Sequence, residues 1–185
     1  MPDSQDPPSF PIKALTSRAA NRGFLSQLRK LLSDATEHQG LLALGHAGID
    51  LTDPAKTVAG LYGLHPKHSD KAGNFGNTCR KLAVAIDPKA SPGTTAGEKN
   101  PFNQHFRRLL SCRTRQDICI AIRRVARHAK SKDIPINYSR LFYDLHYWSN
   151  ESRMKWTRSY FGTQDLAAAS EDEKETSTHT KSPTG

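Results

Sequence analysis

Apolar positions recur at helical spacing along most of the chain. Nowhere do they alternate with the period of two that a half-buried strand requires. Between Ile12 and Leu32, the residues Phe24, Leu25, Leu28, Leu31 and Leu32 fall on one face of an amphipathic helix, with Arg22, Arg29 and Lys30 on its other sides. Gly23 marks a candidate break between two helices. Residues 41–51 are apolar but interrupted by Gly45 and Gly48, and suit a short buried helix. Thr52-Asp53-Pro54 is a start signal, a capping side chain followed by proline in the first turn. It opens a helix to about Tyr62 with Val58, Leu61 and Tyr62 facing inward. Residues 64–73 read as a loop rich in turn formers. Asn74 then opens a helix whose Phe75, Cys79, Leu82 and Ile86 share one face, and Asp87-Pro88 closes it.

Residues 88–100 are rich in Pro, Gly and Thr and carry no apolar rhythm, as a linker would. Beyond them, Asn100-Pro101 starts a helix with Phe102, Phe106, Leu109 and Leu110 turned in. Thr114 and Asp117 have the spacing of a capping box with Asp in place of Glu. They open a long helix to about Ser131, with Ile118, Ile122, Val125 and Ala129 as its stripe. Ile134-Pro135 forces an extended bend. Asn137 caps a helix with Tyr138, Leu141, Phe142, Leu145 and Trp148 inside. A last helix, about 151–161, places Met154, Trp156, Tyr160 and Phe161 at core spacing. The fold class predicted is all-α. It divides into a disordered leader (1–11), an N-terminal helical bundle (12–87), a linker (88–100), a C-terminal basic bundle (101–161) and a disordered acidic tail (162–185).

Charge changes this picture from a plain helical domain to a binder. The 185 residues carry a formal net charge of +9. Residues 102–161 hold 13 Lys and Arg against four Asp and Glu, whereas residues 162–185 hold two against five. The positive surplus therefore sits in the folded part, which favours a polyanionic partner. Arg123, Arg127 and Lys130 stand at i, i+4 and i+7 with Arg124 alongside. Like charges at that spacing repel by a few tenths of a kcal/mol per pair, a cost an incoming phosphate chain would relieve. The candidate nucleic-acid-binding residues are Arg123, Arg124 and Arg127, aided by Arg107, Arg108, Arg80, Lys71 and Lys56. A solvated face, or carboxylates of a neighbouring subunit, are the alternatives.

Candidate chemistry is sparse. His65 and His68 form H-x-x-H, but Pro66 between them prevents a regular helical pair, and no acidic or cysteine partner lies at ligand spacing. No phosphate-binding loop, nucleophile elbow or zinc-protease motif occurs. Asp144 falls in an inward-facing segment, where pairing with an arginine or capping a helix is the simplest role. No catalytic residue, metal or cofactor is expected. Cys79, Cys112 and Cys119 lie near apolar helical positions and read as buried thiols of a reducing, cytoplasmic compartment. No apolar run approaches the ~20 residues of a membrane span, and the acidic, proline-rich start does not resemble a secretory signal.

The runs FRRLL (106–110), QDICIAIRRVAR (116–127), IPINYSRLFYDLHYW (134–148) and RMKWTRSYF (153–161) resemble the CasB family, the small subunit of the type I-E CRISPR complex Cascade. Ile134-Pro135, Tyr138, Leu141, Asp144, Leu145, Trp148, Trp156, Tyr160 and Phe161 carry the likeness. GFLSQLRKLL (23–32), AGLYGLH (59–65) and NFGNTCRKLA (74–83) extend it more loosely toward the N-terminus, and the acidic tail is outside it. The resemblance implies a non-enzymatic helical subunit in antiviral defence. Its partners would be guide RNA and target DNA, the other Cascade subunits and a second copy of itself, and it would help hold the displaced strand of the R-loop. A stand-alone helical DNA-binding regulator and a helical protein-interaction module remain the rival readings.

Overall fold

A computed structural model describes residues 10–163. The leader before Phe10 and the acidic tail beyond Thr163 lie outside the described residues. Among those described, every regular element is helical: α1 (Ile12–Thr16), α2 (Arg22–Lys30), α3 (Glu37–His46), α4 (Asp53–Leu64), α5 (Phe75–Ile86), α6 (Asn103–Ser111), α7 (Arg115–Ser131), α8 (Tyr138–His146) and α9 (Asn150–Phe161), with 3-10 turns at Asp70–Ala72 and Ala96–Lys99. No helix among them is long and apolar enough to cross a membrane.

Local signals place most of the helix ends. Asn21, Asn137 and Ser149 each accept a hydrogen bond from a first-turn amide of α2, α8 and α9. The Thr114–Asp117 capping box forms as its spacing predicts, and Asn74 makes a second one with Asn77. Thr52 departs from expectation. Its side chain makes no cap bond, and its buried hydroxyl has no partner, so Pro54 in the first turn is the stronger signal there. The break before α2 comes at residues 17–21, because Asn21 rather than Gly23 supplies the cap, and α3 begins four residues earlier than the apolar run.

Two separate bundles are not confirmed, because one continuous cluster of buried apolar side chains runs from Phe10 to Tyr160. Helices of the first half pack on helices of the second, α4 on α7 and α8, and α5 on α9. Glycines permit the closest crossings. A Cβ on Gly63 would stand 2.7 Å from Leu28 Cβ, and one on Gly76 would stand 2.2 Å from the Trp156 carbonyl oxygen. The connections reinforce this. An isolated parallel bridge pairs His68 with Ile136, through Ile136 N donating to Lys67 O (3.0 Å) and Ser69 N donating to Ile136 O (3.2 Å). Lys67 pairs with Asp133 beside that bridge.

The segment read as a linker is tied to the core. The Asn100 amide donates to the carbonyls of Ala83 (3.0 Å) and Ala90 (2.8 Å), and its oxygen accepts from Phe102 N (2.9 Å). Phe10, expected in the leader, is buried with its ring 5.1 Å from that of Phe142. Ile86, Met154 and Phe161, expected in the core, are exposed.

Candidate nucleic-acid interface

Helices α6 and α7 are joined by only three residues, Cys112–Thr114. They bury Phe106 and Leu109 on one side and Ile118, Ile122, Val125 and Ala129 on the other. Burying those stripes turns the polar faces outward. Arg108, Arg124 and Arg127 are exposed, and with Arg123 they line a cleft of about 270 Å³ beside Leu32 and His105. None of the four arginines is ion-paired with a carboxylate among the described residues. Four guanidinium groups thus share one concavity, and Arg123 also lines the neighbouring cleft that holds Asp34, Glu37 and Asp53; a planar guanidinium fork is the geometry that matches phosphate oxygens.

Arg123 holds a different position from its neighbours. It is half-buried, its Nη1 donates to the Leu32 carbonyl at 2.6 Å, and its Nε is buried without a partner. Leu32 follows the end of α2, where unpaired carbonyls attract a cation. The repulsion expected between Arg123 and Arg127 is thus relieved partly from within the fold.

The other expected residues are dispersed. Lys56 sits between Glu37 (2.6 Å) and Asp53 (2.9 Å), in a second, acid-rich cleft with Asp34. Hydrogen bonds from those two carboxylates hold its ammonium above the usual lysine range. Two anions already satisfy it, so it does not join the arginine cleft. Arg107 points from α6 into a different cavity of about 650 Å³, walled by Phe106, Leu110, Tyr160 and Phe161. Arg80 lies against Gly162 at the end of α9, where a Cβ would stand 1.8 Å from its Nη1. Lys71 is exposed in the 3-10 turn Asp70–Ala72. The structure therefore assembles Arg108, Arg123, Arg124 and Arg127, and leaves Lys56, Lys71, Arg80 and Arg107 outside.

His105 lines the cleft with the arginines, and His128 stands beside it. The His105 and His128 rings are 5.1 Å apart. Burial, then His128, Arg124 and Arg108, push the His105 imidazole below its ordinary value. The signal was present but faint: His105 precedes Arg108 by three residues and His128 follows Arg124 by four, the spacings of shared helix faces.

The remaining titratable groups serve the fold. Buried His65 meets the Ile134 carbonyl through Nε2 at 2.8 Å, and desolvation lowers its pKa. His68 Nδ1 accepts from Tyr138 N (3.2 Å) while Nε2 faces Asp70 (3.1 Å). Asp144 pairs with an arginine as expected: it accepts from Arg140 Nε (3.1 Å) and also from Trp156 Nε1 (2.7 Å). Burial outweighs both partners and raises its pKa. The three cysteines are free and buried. Among the described residues, no group of three or more His, Cys, Asp or Glu is placed to hold a metal ion.

A model of the CRISPR-associated protein Cse2 family matches residues 26–161. No curated protein and no solved structure gives a significant match. The family match covers α3 through α9 entirely and most of α2, including every arginine of the cleft. The chain therefore belongs to the Cse2 family, the CasB small subunit of type I-E Cascade in CRISPR defence.

Proposed function

We propose that this subunit works without catalysis, gripping the phosphate backbone of nucleic acid in the α6–α7 cleft and so stabilising guide RNA, target DNA and the R-loop within Cascade. The observation that carries this reading is the gathering of Arg108, Arg124 and Arg127 beside Arg123, with no carboxylate paired to any of them among the described residues. Forming an R-loop exchanges one duplex for another of similar stability, so a few backbone contacts suffice to tip it. Such contacts need cations along a groove and no base-reading side chain. Lys71, Arg80 and Arg107 would then be secondary contacts on other faces, and a second copy of the chain would extend the track along a longer strand.

Filter binding of the full chain to oligonucleotides over a salt series tests this. Binding should be insensitive to sequence and steeply salt-dependent. Each phosphate contact removed should lower the log–log slope by about 0.7 on single strands or 0.9 on duplex. If Arg108→Ala/Arg124→Ala/Arg127→Ala keeps the wild-type affinity and slope but no longer joins the other Cascade subunits, the cleft is a protein interface.

A further inference from the structure

We propose that the outward face of α8 is a stacking platform for unpaired bases of single-stranded nucleic acid, built from Tyr143 and Tyr147 and framed by Arg140 and Arg115. It presupposes the reading above, that the chain contacts nucleic acid, and it adds which form of nucleic acid and through which chemistry.

Tyr143 on α8 and Tyr147, the residue that caps its C-terminus, are four residues apart and remain 38% and 46% exposed. Their ring centroids are 4.9 Å apart with planes inclined by 58°. The Arg140 guanidinium carbon stands 5.3 Å from the Tyr143 ring centroid, within cation–π range. That cation is anchored from the core, because Arg140 Nε donates to Asp144, whose other oxygen accepts from the fully buried Trp156. At the other end, Arg115 Nη2 donates to the His146 carbonyl (2.8 Å), and the His146 ring lies 4.8 Å from that of Tyr147. Two aromatic rings thus have one positioned cation over Tyr143 and another held at the His146 carbonyl beside Tyr147.

The chemistry favours an unpaired base over other occupants. A base offers an aromatic face only when it is not stacked inside a duplex, and stacking on tyrosine is tolerant of sequence. The flanking charges are positive. Asp144 is buried beneath Arg140, and Asp117, close to Arg115 in sequence, is turned to the Thr114 amide in its capping box. Arg115 also opens α7, the helix that carries Arg123, Arg124 and Arg127.

The test compares three polyanions of about 20 nucleotides with the full chain at one salt concentration: oligothymidine, the same backbone lacking bases, and a duplex. Wild type should prefer oligothymidine over the abasic strand. Tyr143→Ala/Tyr147→Ala should weaken oligothymidine binding about fivefold or more, leave the abasic strand and duplex unchanged, and preserve the salt slope. Tyr143→Phe/Tyr147→Phe, which keeps the rings, should stay near wild type. Arg115→Ala should instead lower the slope by about 0.7. The platform is refuted if wild type does not distinguish oligothymidine from the abasic strand. Equal loss on all three ligands refutes it too, as does unchanged nucleic-acid binding with failure to join the other subunits. Failure of wild type to bind any of the three overturns the cleft reading itself.

Discussion

Replacing Gly76 by alanine probes the crossing that joins the two halves of the chain. Gly76 lies in the first turn of α5, against α9. A Cβ there would stand 2.2 Å from the Trp156 carbonyl oxygen and 2.8 Å from its carbonyl carbon and Cα. These are backbone atoms, so no rotamer change relieves the contact, and the helices must part by roughly 1 Å. Overpacking of that kind costs about 1–3 kcal/mol, against less than about 1 kcal/mol gained from alanine's helix propensity. Gly45 in α3 is the control, since a Cβ there would meet nothing within 4 Å. Gly45→Ala should therefore stabilise, by up to about 1 kcal/mol. Urea unfolding of both variants reads the difference. For a chain of this size, the thermal midpoint should move by about 2–4 °C per kcal/mol, downward for Gly76→Ala and upward for Gly45→Ala. A Gly76→Ala protein as stable as wild type would refute the α5–α9 packing, and with it the single core.

Arg123→Ala should cost about 1–2 kcal/mol of stability through the lost bond to Leu32, whereas Arg124→Ala and Arg127→Ala should stay within about 0.5 kcal/mol. Urea midpoints check the ranking, and equal costs would contradict it. His65 and His105 have folded-state pKa values below the ordinary 6.5, so the folded protein binds fewer protons there than the unfolded chain. Their stability contribution is full above that value and is lost as pH falls from 6.5 through the folded values. Histidine titration by NMR should show both midpoints below 6.5, and a midpoint at or above it contradicts the burial. Phosphate in the cleft should raise the His105 midpoint, since a bound anion offsets Arg108 and Arg124. Burial pushes up the thiols of Cys79, Cys112 and Cys119. A thiol reagent at mildly alkaline pH should label them only on unfolding, and fast labelling of the native chain would contradict that.

The helices were legible because their signals are local. A period of 3.6, an Asn or a Thr-x-x-Asp at the right place, and a proline in the first turn each act within a few residues. What escaped was settled between residues far apart. The Pro/Gly/Thr composition of residues 88–100 suggested a linker, but Asn100 closes it onto Ala83 and Ala90 through hydrogen bonds no periodicity reveals. Arg123 meets a carbonyl 91 residues earlier in the chain. Lys56 had the same apparent standing as the cleft arginines until folding brought Glu37 to it. The arginine stripe of α7 was readable as a charge pattern. That Arg108 joins it while Arg107 turns away follows from the angle of about 100° between successive helical residues, together with the neighbour that buries Phe106 and Leu109.

We propose that the arginine cleft holds nucleic-acid backbone inside Cascade. The most direct measurement reconstitutes Cascade with wild type or with Arg108→Ala/Arg124→Ala/Arg127→Ala and follows R-loop lifetime on target DNA over a salt series. A backbone-holding cleft predicts an unchanged subunit composition, a shorter R-loop lifetime and a salt slope smaller by about 2, three single-strand phosphate contacts at roughly 0.7 each. A variant complex that assembles fully and holds its R-loop with wild-type lifetime and slope would contradict it.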